Sequence, residues 1–157
     1  MAITEKENRK IADAAIQWVG TPHLNAHKEK NVGIDCARLA EACVEDADLA
    51  PKGFMSELPT DYVSDWFLNR GDNIMTPWFE KYCVKVDEKD MQPGDFLLFQ
   101  IGRQIGHAAV YVGDGKVVHS VPNEGTCIAD LSSDYHFWDK KGNSRLKFIY
   151  RLSEVLK

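Results

Sequence analysis

The stretch that decides the fold is GIDCARLAEACV, residues 33–44. Asp35 is a natural helix N-cap, and apolar residues recur at helical spacing after it, at Leu39 and Cys43. Cys36 is therefore predicted to be the first residue of a helix. Unpaired N–H groups and aligned peptide dipoles at that position favour a thiolate over a thiol and can hold a developing oxyanion. The sequence thus marks Cys36 as a candidate nucleophile.

Two histidines lie downstream on a predicted β-hairpin. The run GHAAVYVG, residues 106–113, is β-prone, and a Gly-Asp-Gly turn follows it. Side chains alternate along a strand, so His107 shares a face with Tyr111, and His119 shares one with Val117 in the next run. A hairpin can set two imidazoles side by side, although its register is not fixed by this pattern. Each residue alone is often structural, but the combination with Cys36 indicates a cysteine hydrolase.

Four segments occur together in a known order: IDCARL at 34–39, QPGDFLLF at 92–99, HAAVYVG at 107–113 and VHS at 118–120. This set resembles the NlpC-type cell-wall cysteine peptidases, from about Trp18 to the end of the hairpin. The resemblance implies a papain-like α+β fold, in which N-terminal helices pack on an antiparallel sheet and the nucleophile lies at a helix N-terminus.

The same resemblance assigns roles to the site residues. It makes Cys36 the nucleophile, His107 the general base and His119 the group that orients His107. The segment at 18–22, WVGTP, is similar to the family segment ahead of the nucleophile, which often continues with a tyrosine near the active site. His23 stands there instead and is the candidate for the second oxyanion donor, because an imidazole can also donate a hydrogen bond.

Asp35 and Arg38 flank the nucleophile and complete the candidate oxyanion and substrate-binding group. The small residues that the family usually has after the nucleophile are replaced by Ala37 and Arg38. Arg38 either faces an acidic substrate or is solvated, and we expect solvation because exposed arginines are common.

The implied mechanism needs no cofactor or metal. An ion pair of His107 and Cys36 attacks an amide carbonyl, the Cys36 amide and His23 hold the oxyanion, and water hydrolyses the resulting thioester. Because His119 can itself carry a charge, activity is expected to fall at low pH. The resemblance implies a substrate in bacterial peptidoglycan, most often a stem-peptide amide involving D-glutamate and diaminopimelate.

Three alternatives stay open at the level of sequence. One is a papain-like acyltransferase or amidase with a substrate outside the cell wall. Another is an inactive binding or scaffold module, for which the altered positions of His23 and Arg38 are the main indication. The third is a metal site built from Cys36, His107 and His119, since such ligand sets bind zinc.

Composition limits the remaining possibilities. The 157 residues, 44% of them hydrophobic, are enough for a sizeable core, so we expect one domain over residues 1–157. A net charge of -5 argues against nucleic-acid binding, and no apolar stretch reaches the roughly 20 residues that span a bilayer. The four cysteines lack the close paired spacing of metal sites, and the N-terminus does not resemble a signal peptide. We therefore expect synthesis in a reducing cytoplasm. The chain is also similar to the small family members that are encoded with phage tails or gene-transfer particles, which implies delivery to the cell wall by such a particle or by a secretion machine.

The other elements are expected as follows. A capping box at Thr4 and Glu7 begins an amphipathic helix, and short helices begin at Pro59 and at Thr76. Further strands are predicted at 96–100, 126–130 and 145–152. Five aromatic residues of the middle segment are expected in the core: Trp66, Phe67, Trp78, Phe79 and Tyr82.

Overall fold

The computed structural model describes residues 2–55 and 75–157. Within these ranges the helices are α1 (Glu5–Gln17), α2 (Cys36–Asp46) and α3 (Thr76–Tyr82). A short ribbon ahead of α2 consists of β1 (Lys28–Glu29) and β2 (Gly33–Ile34). The strands of the main sheet are β3 (Cys83–Lys85), β4 (Phe96–Ile101), β5 (Gln104–Gly113), β6 (Lys116–Val121), β7 (Gly125–Asp130) and β8 (Leu146–Leu152). Single 3-10 turns lie at Glu88–Asp90 and Tyr135–Phe137.

Both N-terminal helices begin where the sequence predicts. The Thr4 hydroxyl accepts from the Glu7 N–H at 3.1 Å, and the Glu7 carboxylate accepts from the Thr4 N–H at 2.9 Å, which completes the capping box of α1. Asp35 caps α2 by accepting from the Arg38 N–H at 2.8 Å. Cys36 is consequently the first residue of α2, as expected.

The main sheet has the order β3-β8-β4-β5-β6-β7 and its paired neighbours are antiparallel. The three further strands predicted from the sequence are therefore confirmed to within a residue or two. In the turn between β5 and β6, Asp114 and Gly115 have φ values of 53° and 75°. Positive φ at both central residues is the geometry that matches the twist of a tight hairpin.

Helices α1 and α2 pack on one face of this sheet, against β5 and β6. Alternate residues of β4 divide between two apolar clusters, so that Phe96 and Leu98 face the helices while Phe99 lies on the other face with Phe137. His107 pairs with Phe99 across the strands, and its ring lies 6.0 Å from the Phe99 ring. The candidate base is thus on the face that the helices leave uncovered.

The pairing of β5 with β6 runs from Gly113 and Lys116 to Val110 and Val118 and stops before the two histidines. The junction of β2 and α2 lies at this gap, because the Ser120 hydroxyl donates to the Ile34 carbonyl at 2.8 Å. The strands therefore diverge where the N-terminus of α2 approaches the sheet. The alternating sequence pattern did not determine this register of β5 against β6.

The turn ahead of β4 is fixed by a buried carboxylate. Asp95 is 0% exposed and accepts from Arg151 through two nitrogens at 2.7 and 2.8 Å, from the Asn8 amide at 2.7 Å and from the Gln92 N–H at 2.8 Å. Gly94 before it has φ +103°, and a Cβ there would come within 2.0 Å of the Asn8 carbonyl oxygen. The QPGD segment thus joins α1, β4 and β8 and has a structural role.

Three of the five aromatic residues of the middle segment lie among the described residues. Phe79 is buried and its ring stacks on Tyr150 at 5.8 Å, while Trp78 and Tyr82 pack against the core at its edge. The expectation of a core role is confirmed for these three. The helix predicted at Pro59, and the residues Trp66 and Phe67, lie outside the described residues. In the described parts of the chain, no helix combines the length and the apolar character that crossing a bilayer requires.

Candidate active site

The Cys36 sulfur lies beside β5. The backbone N–H groups of Ala108, Ala37 and Cys36 itself hydrogen-bond to it and lower its pKa. Burial is the larger effect, however, and together with the Asp35 carboxylate it raises the pKa of the Cys36 thiol to about 12. Burial therefore opposes the thiolate that the sequence predicts, whereas the N–H groups at the helix N-terminus favour it. The thiolate stays a prediction.

The two hairpin histidines form a hydrogen-bonded pair. Nε2 of His107 lies 2.9 Å from Nδ1 of His119, and the two ring planes meet at 67°. Both side chains are buried. Because Nε2 of His107 is engaged with His119, Nδ1 is the nitrogen left to take a proton from the thiol. The structure thus brings His107 and His119 together as the sequence predicts.

The surroundings favour the neutral form of both histidines. Burial lowers the pKa of His107 well below its ordinary value, and the nearby His119, His136 and His23 lower it further. Burial and His136 lower the pKa of His119 to about 4, against the opposing effect of Asp134. Within residues 2–55 and 75–157, no direct hydrogen bond joins the Cys36 sulfur to His107. These shifts favour a thiol and a neutral imidazole in the resting site over the expected ion pair.

His23 is held at the same gap in the sheet. The segment before it is tied to β7, since the Gly20 N–H donates to the Thr126 carbonyl at 2.8 Å. Nδ1 of His23 lies 3.0 Å from the Ser120 hydroxyl, whose own hydrogen is directed to Ile34. This favours the proton on Nδ1, which donates to Ser120, while Nε2 faces the Asn25 Oδ1 atom at 3.3 Å. A neutral His23 then has no second N–H for an oxyanion, so its expected role as a donor stays a prediction that requires a protonated ring.

Arg38 is not solvated, contrary to expectation. Its side chain is buried and Nη1 lies 3.1 Å from the Glu41 carboxylate, which is also buried. Lys28 reaches the same carboxylate at 3.0 Å, and the Met55 N–H donates to it at 3.1 Å. Arg38 therefore takes part in a buried ionic network that ties α2 to β1 and to the chain near Met55.

A third histidine near the pair was missed in the sequence. The His136 ring lies 5.2 Å from the His119 ring, and its Nδ1 contacts the Asp134 carboxylate at 2.6 Å. His136 lies in a 3-10 turn after β7, where no strand or helix pattern draws attention to it. The available signal was the residue type itself, because four of the chain's five histidines gather around this site: His23, His107, His119 and His136.

The metal site considered from the sequence is not formed. Within the described ranges, the residues whose ligand atoms lie within 4.8 Å of one another are His119, Asp134 and His136. Cys36 and His107 are not part of this group.

Helices packed on an antiparallel sheet, with a cysteine at a helix N-terminus beside a histidine-bearing strand, define a papain-like domain. Residues 17–144 match the model of the NlpC/P60 family, and the chain belongs to this family.

Two curated relatives are a phage tail protein and a murein peptidase. The chain is 30% identical over 105 residues to the tail tip assembly protein K of Escherichia phage lambda, covering 66% of this chain and 49% of that protein. It is 22% identical over 142 residues to the murein DD-endopeptidase MepS/murein LD-carboxypeptidase of Escherichia coli strain K12, covering 90% of this chain and 63% of that protein. The chain thus spans between about half and two thirds of the length of these relatives.

Among solved structures, the fold is similar to that of an NLP/P60 family protein from Staphylococcus aureus. The TM-score is 0.61 at 19% sequence identity, with 98% of this chain and 44% of that chain covered. The α+β papain-like fold expected from the sequence is therefore confirmed.

Proposed function

We propose that the protein is a cysteine peptidase that hydrolyses an amide bond in the stem peptides of bacterial peptidoglycan through a thioester intermediate. The observation that carries this proposal is that the Cys36 sulfur accepts from the backbone N–H of Ala108, the residue next to His107, whose ring is paired with His119. Membership of the NlpC/P60 family and the murein endopeptidase among its relatives support the choice of substrate.

The first step differs from that of a preformed ion pair. Nδ1 of His107 takes the thiol proton as the sulfur attacks the carbonyl carbon, since burial favours the neutral form of both groups. This transfer requires a closer approach of the two groups than the resting structure has, which is common in free enzymes. The oxyanion accepts from the backbone N–H at Cys36, at the positive end of α2.

His107 then returns the proton. The imidazolium protonates the leaving amine nitrogen as the carbon–nitrogen bond breaks, which leaves a thioester on Cys36. A water molecule attacks the thioester while His107 takes one of its protons, and the thiol is released with that proton. Throughout, the His107 Nε2–H donates to Nδ1 of His119, which fixes the tautomer and stabilises the transient charge.

Delivery to the wall is part of the same proposal. Similarity to a phage tail tip assembly protein supports a route in which a tail or related particle carries the protein to the peptidoglycan. Tail proteins are then the expected partners, and no nucleic-acid contact is needed for this activity.

The test is digestion of purified peptidoglycan followed by mass measurement of the released fragments. We expect the native protein to release stem-peptide fragments and Cys36→Ala to release none. Cys43→Ala is the matched control, because it removes a thiol from the same helix without touching the site. An added amine distinguishes the alternative of acyl transfer, which would yield an amine adduct. Unchanged peptidoglycan, or equal hydrolysis by Cys36→Ala, would overturn the proposal.

A further inference from the structure

The peptidase mechanism leaves Asp134 and His136 without a role. Asp134 Oδ1 lies 2.6 Å from Nδ1 of His136, whose Nε2 lies 3.1 Å from the Glu124 carboxylate. The His136 ring stands almost perpendicular to that of His119, at 87°. Each of His119, Asp134 and His136 offers a ligand atom within 4.8 Å of the other two. Two imidazoles and a carboxylate are a ligand set that Zn²⁺ favours.

Independent support comes from the unused nitrogen of His119. This side chain is 0% exposed, and its Nδ1 is engaged with His107. Its Nε2 is buried and has no hydrogen-bond partner in the described part of the chain. A buried polar atom without a partner is costly, and such atoms often mark a ligand site. Tetrahedral zinc holds its ligand atoms about 3.3 Å apart, so modest side-chain rotations would close the set around an ion.

We propose that His119, Asp134 and His136 bind a divalent transition-metal ion of the Zn²⁺ class, and that the bound ion switches the peptidase off. The binding site stands on the geometry alone. The inhibitory effect also rests on the proposed function.

Proton positions explain the inhibition. A metal on Nε2 of His119 leaves the proton of that neutral ring on Nδ1, which then donates to Nε2 of His107. Nε2 of His107 becomes the acceptor, so the single proton of the neutral His107 ring moves to Nδ1. That is the nitrogen that must accept the thiol proton. The metal therefore fixes the tautomer in which His107 cannot act as a base, without touching Cys36.

Binding is tested in the Cys36→Ala protein, which removes the nucleophile as a competing ligand. We expect calorimetry to give one Zn²⁺ per chain, and His136→Gln to weaken that binding at least ten-fold. His27→Gln is the matched control, because His27 is exposed and its ring contacts the backbone of Asn25 instead. Absence of stoichiometric binding, or equal binding by His136→Gln, would overturn the site. With Co²⁺ as probe, a sulfur-to-metal charge-transfer band would also overturn it, since none of the three ligands is a thiolate.

The tautomer is read separately from activity. Nitrogen-15 spectra of the histidine rings in Cys36→Ala should show the His119 proton on Nε2 with chelator and on Nδ1 with Zn²⁺. In the native protein, Zn²⁺ should abolish peptidoglycan hydrolysis reversibly. His136→Gln should keep its activity up to Zn²⁺ concentrations at least ten-fold higher. Each rate is compared with that of the same protein in chelator. Zinc bound at full occupancy with no loss of activity would overturn the inhibitory role. If no variant hydrolyses peptidoglycan, the function fails while the calorimetry and spectra still decide the site.

Discussion

The Nε2 atom of His107 lies 2.9 Å from the Nδ1 atom of His119, and a single hydrogen atom serves this contact. The protonation of one ring is therefore linked to that of the other. When His119 carries its proton on Nε2, His107 presents a free lone pair on Nδ1 and can act as a base. Under the proposed mechanism, the tautomer of His119 therefore decides whether His107 can serve as the base.

The first prediction concerns the reactivity of Cys36. Burial raises the pKa of its thiol to about 12, so the thiolate fraction should keep rising with pH. We expect the alkylation rate of Cys36 by iodoacetamide, followed by peptide mass mapping, to increase continuously from about pH 6 to about pH 10. A plateau below neutral pH would instead indicate the preformed thiolate that the sequence suggested.

A second prediction concerns the acidic side of the pH profile. His107 must be neutral to act as a base, and its folded pKa is lowered well below the ordinary value of 6.5. Protonation inactivates the base only below that lowered pKa. In chelator-treated protein we therefore expect kcat/KM for peptidoglycan fragments to stay constant through neutral and mildly acidic pH. A half-maximal rate at or above the ordinary histidine pKa would contradict this result.

Local sequence signals accounted for much of the fold. The N-cap at Asp35 and the Gly-Asp-Gly turn each act over a few residues, and both elements form as predicted. The two histidines of the predicted hairpin also pair with each other. These features depend on spacing along the chain, which the sequence displays directly.

The features of the site that could not be predicted from the sequence depend on contacts between residues far apart in the chain. The pKa of Cys36 is set by burial against β5, which outweighs the local effect of the helix N-terminus. Arg38 is buried because it pairs with the Glu41 carboxylate, which also binds Lys28 and the Met55 N–H. His136 joins the site from a turn that no periodic pattern marks. In each case the deciding contact crosses between elements.

The third prediction tests the structural role of Asp95. Its carboxylate is fully buried and binds Arg151 through two nitrogens, so Asp95→Asn leaves a guanidinium without its counter-charge. Breaking such a buried pair typically costs about 3–5 kcal/mol, and we expect a loss of free energy of unfolding in that range by urea denaturation. The control is Asp130→Asn, which removes the partner of Lys116 from an exposed pair and should change stability little. Equal effects of the two variants would refute a special role for Asp95.

The last prediction concerns His23 and the oxyanion. Its Nδ1–H is directed to Ser120, because the Ser120 hydrogen is itself donated to the Ile34 carbonyl. Removing a true oxyanion donor costs about 10²–10³ in kcat. Since neutral His23 has no N–H to spare, we expect His23→Ala to lower kcat less than about ten-fold at about pH 8, well short of that cost. His23→Tyr, which introduces the hydroxyl donor that the family often has near this point, should raise kcat above that of His23→Ala. A hundred-fold fall for His23→Ala with unchanged KM would mean that His23 donates to the oxyanion after all, through a protonated ring or a rearranged contact with Ser120.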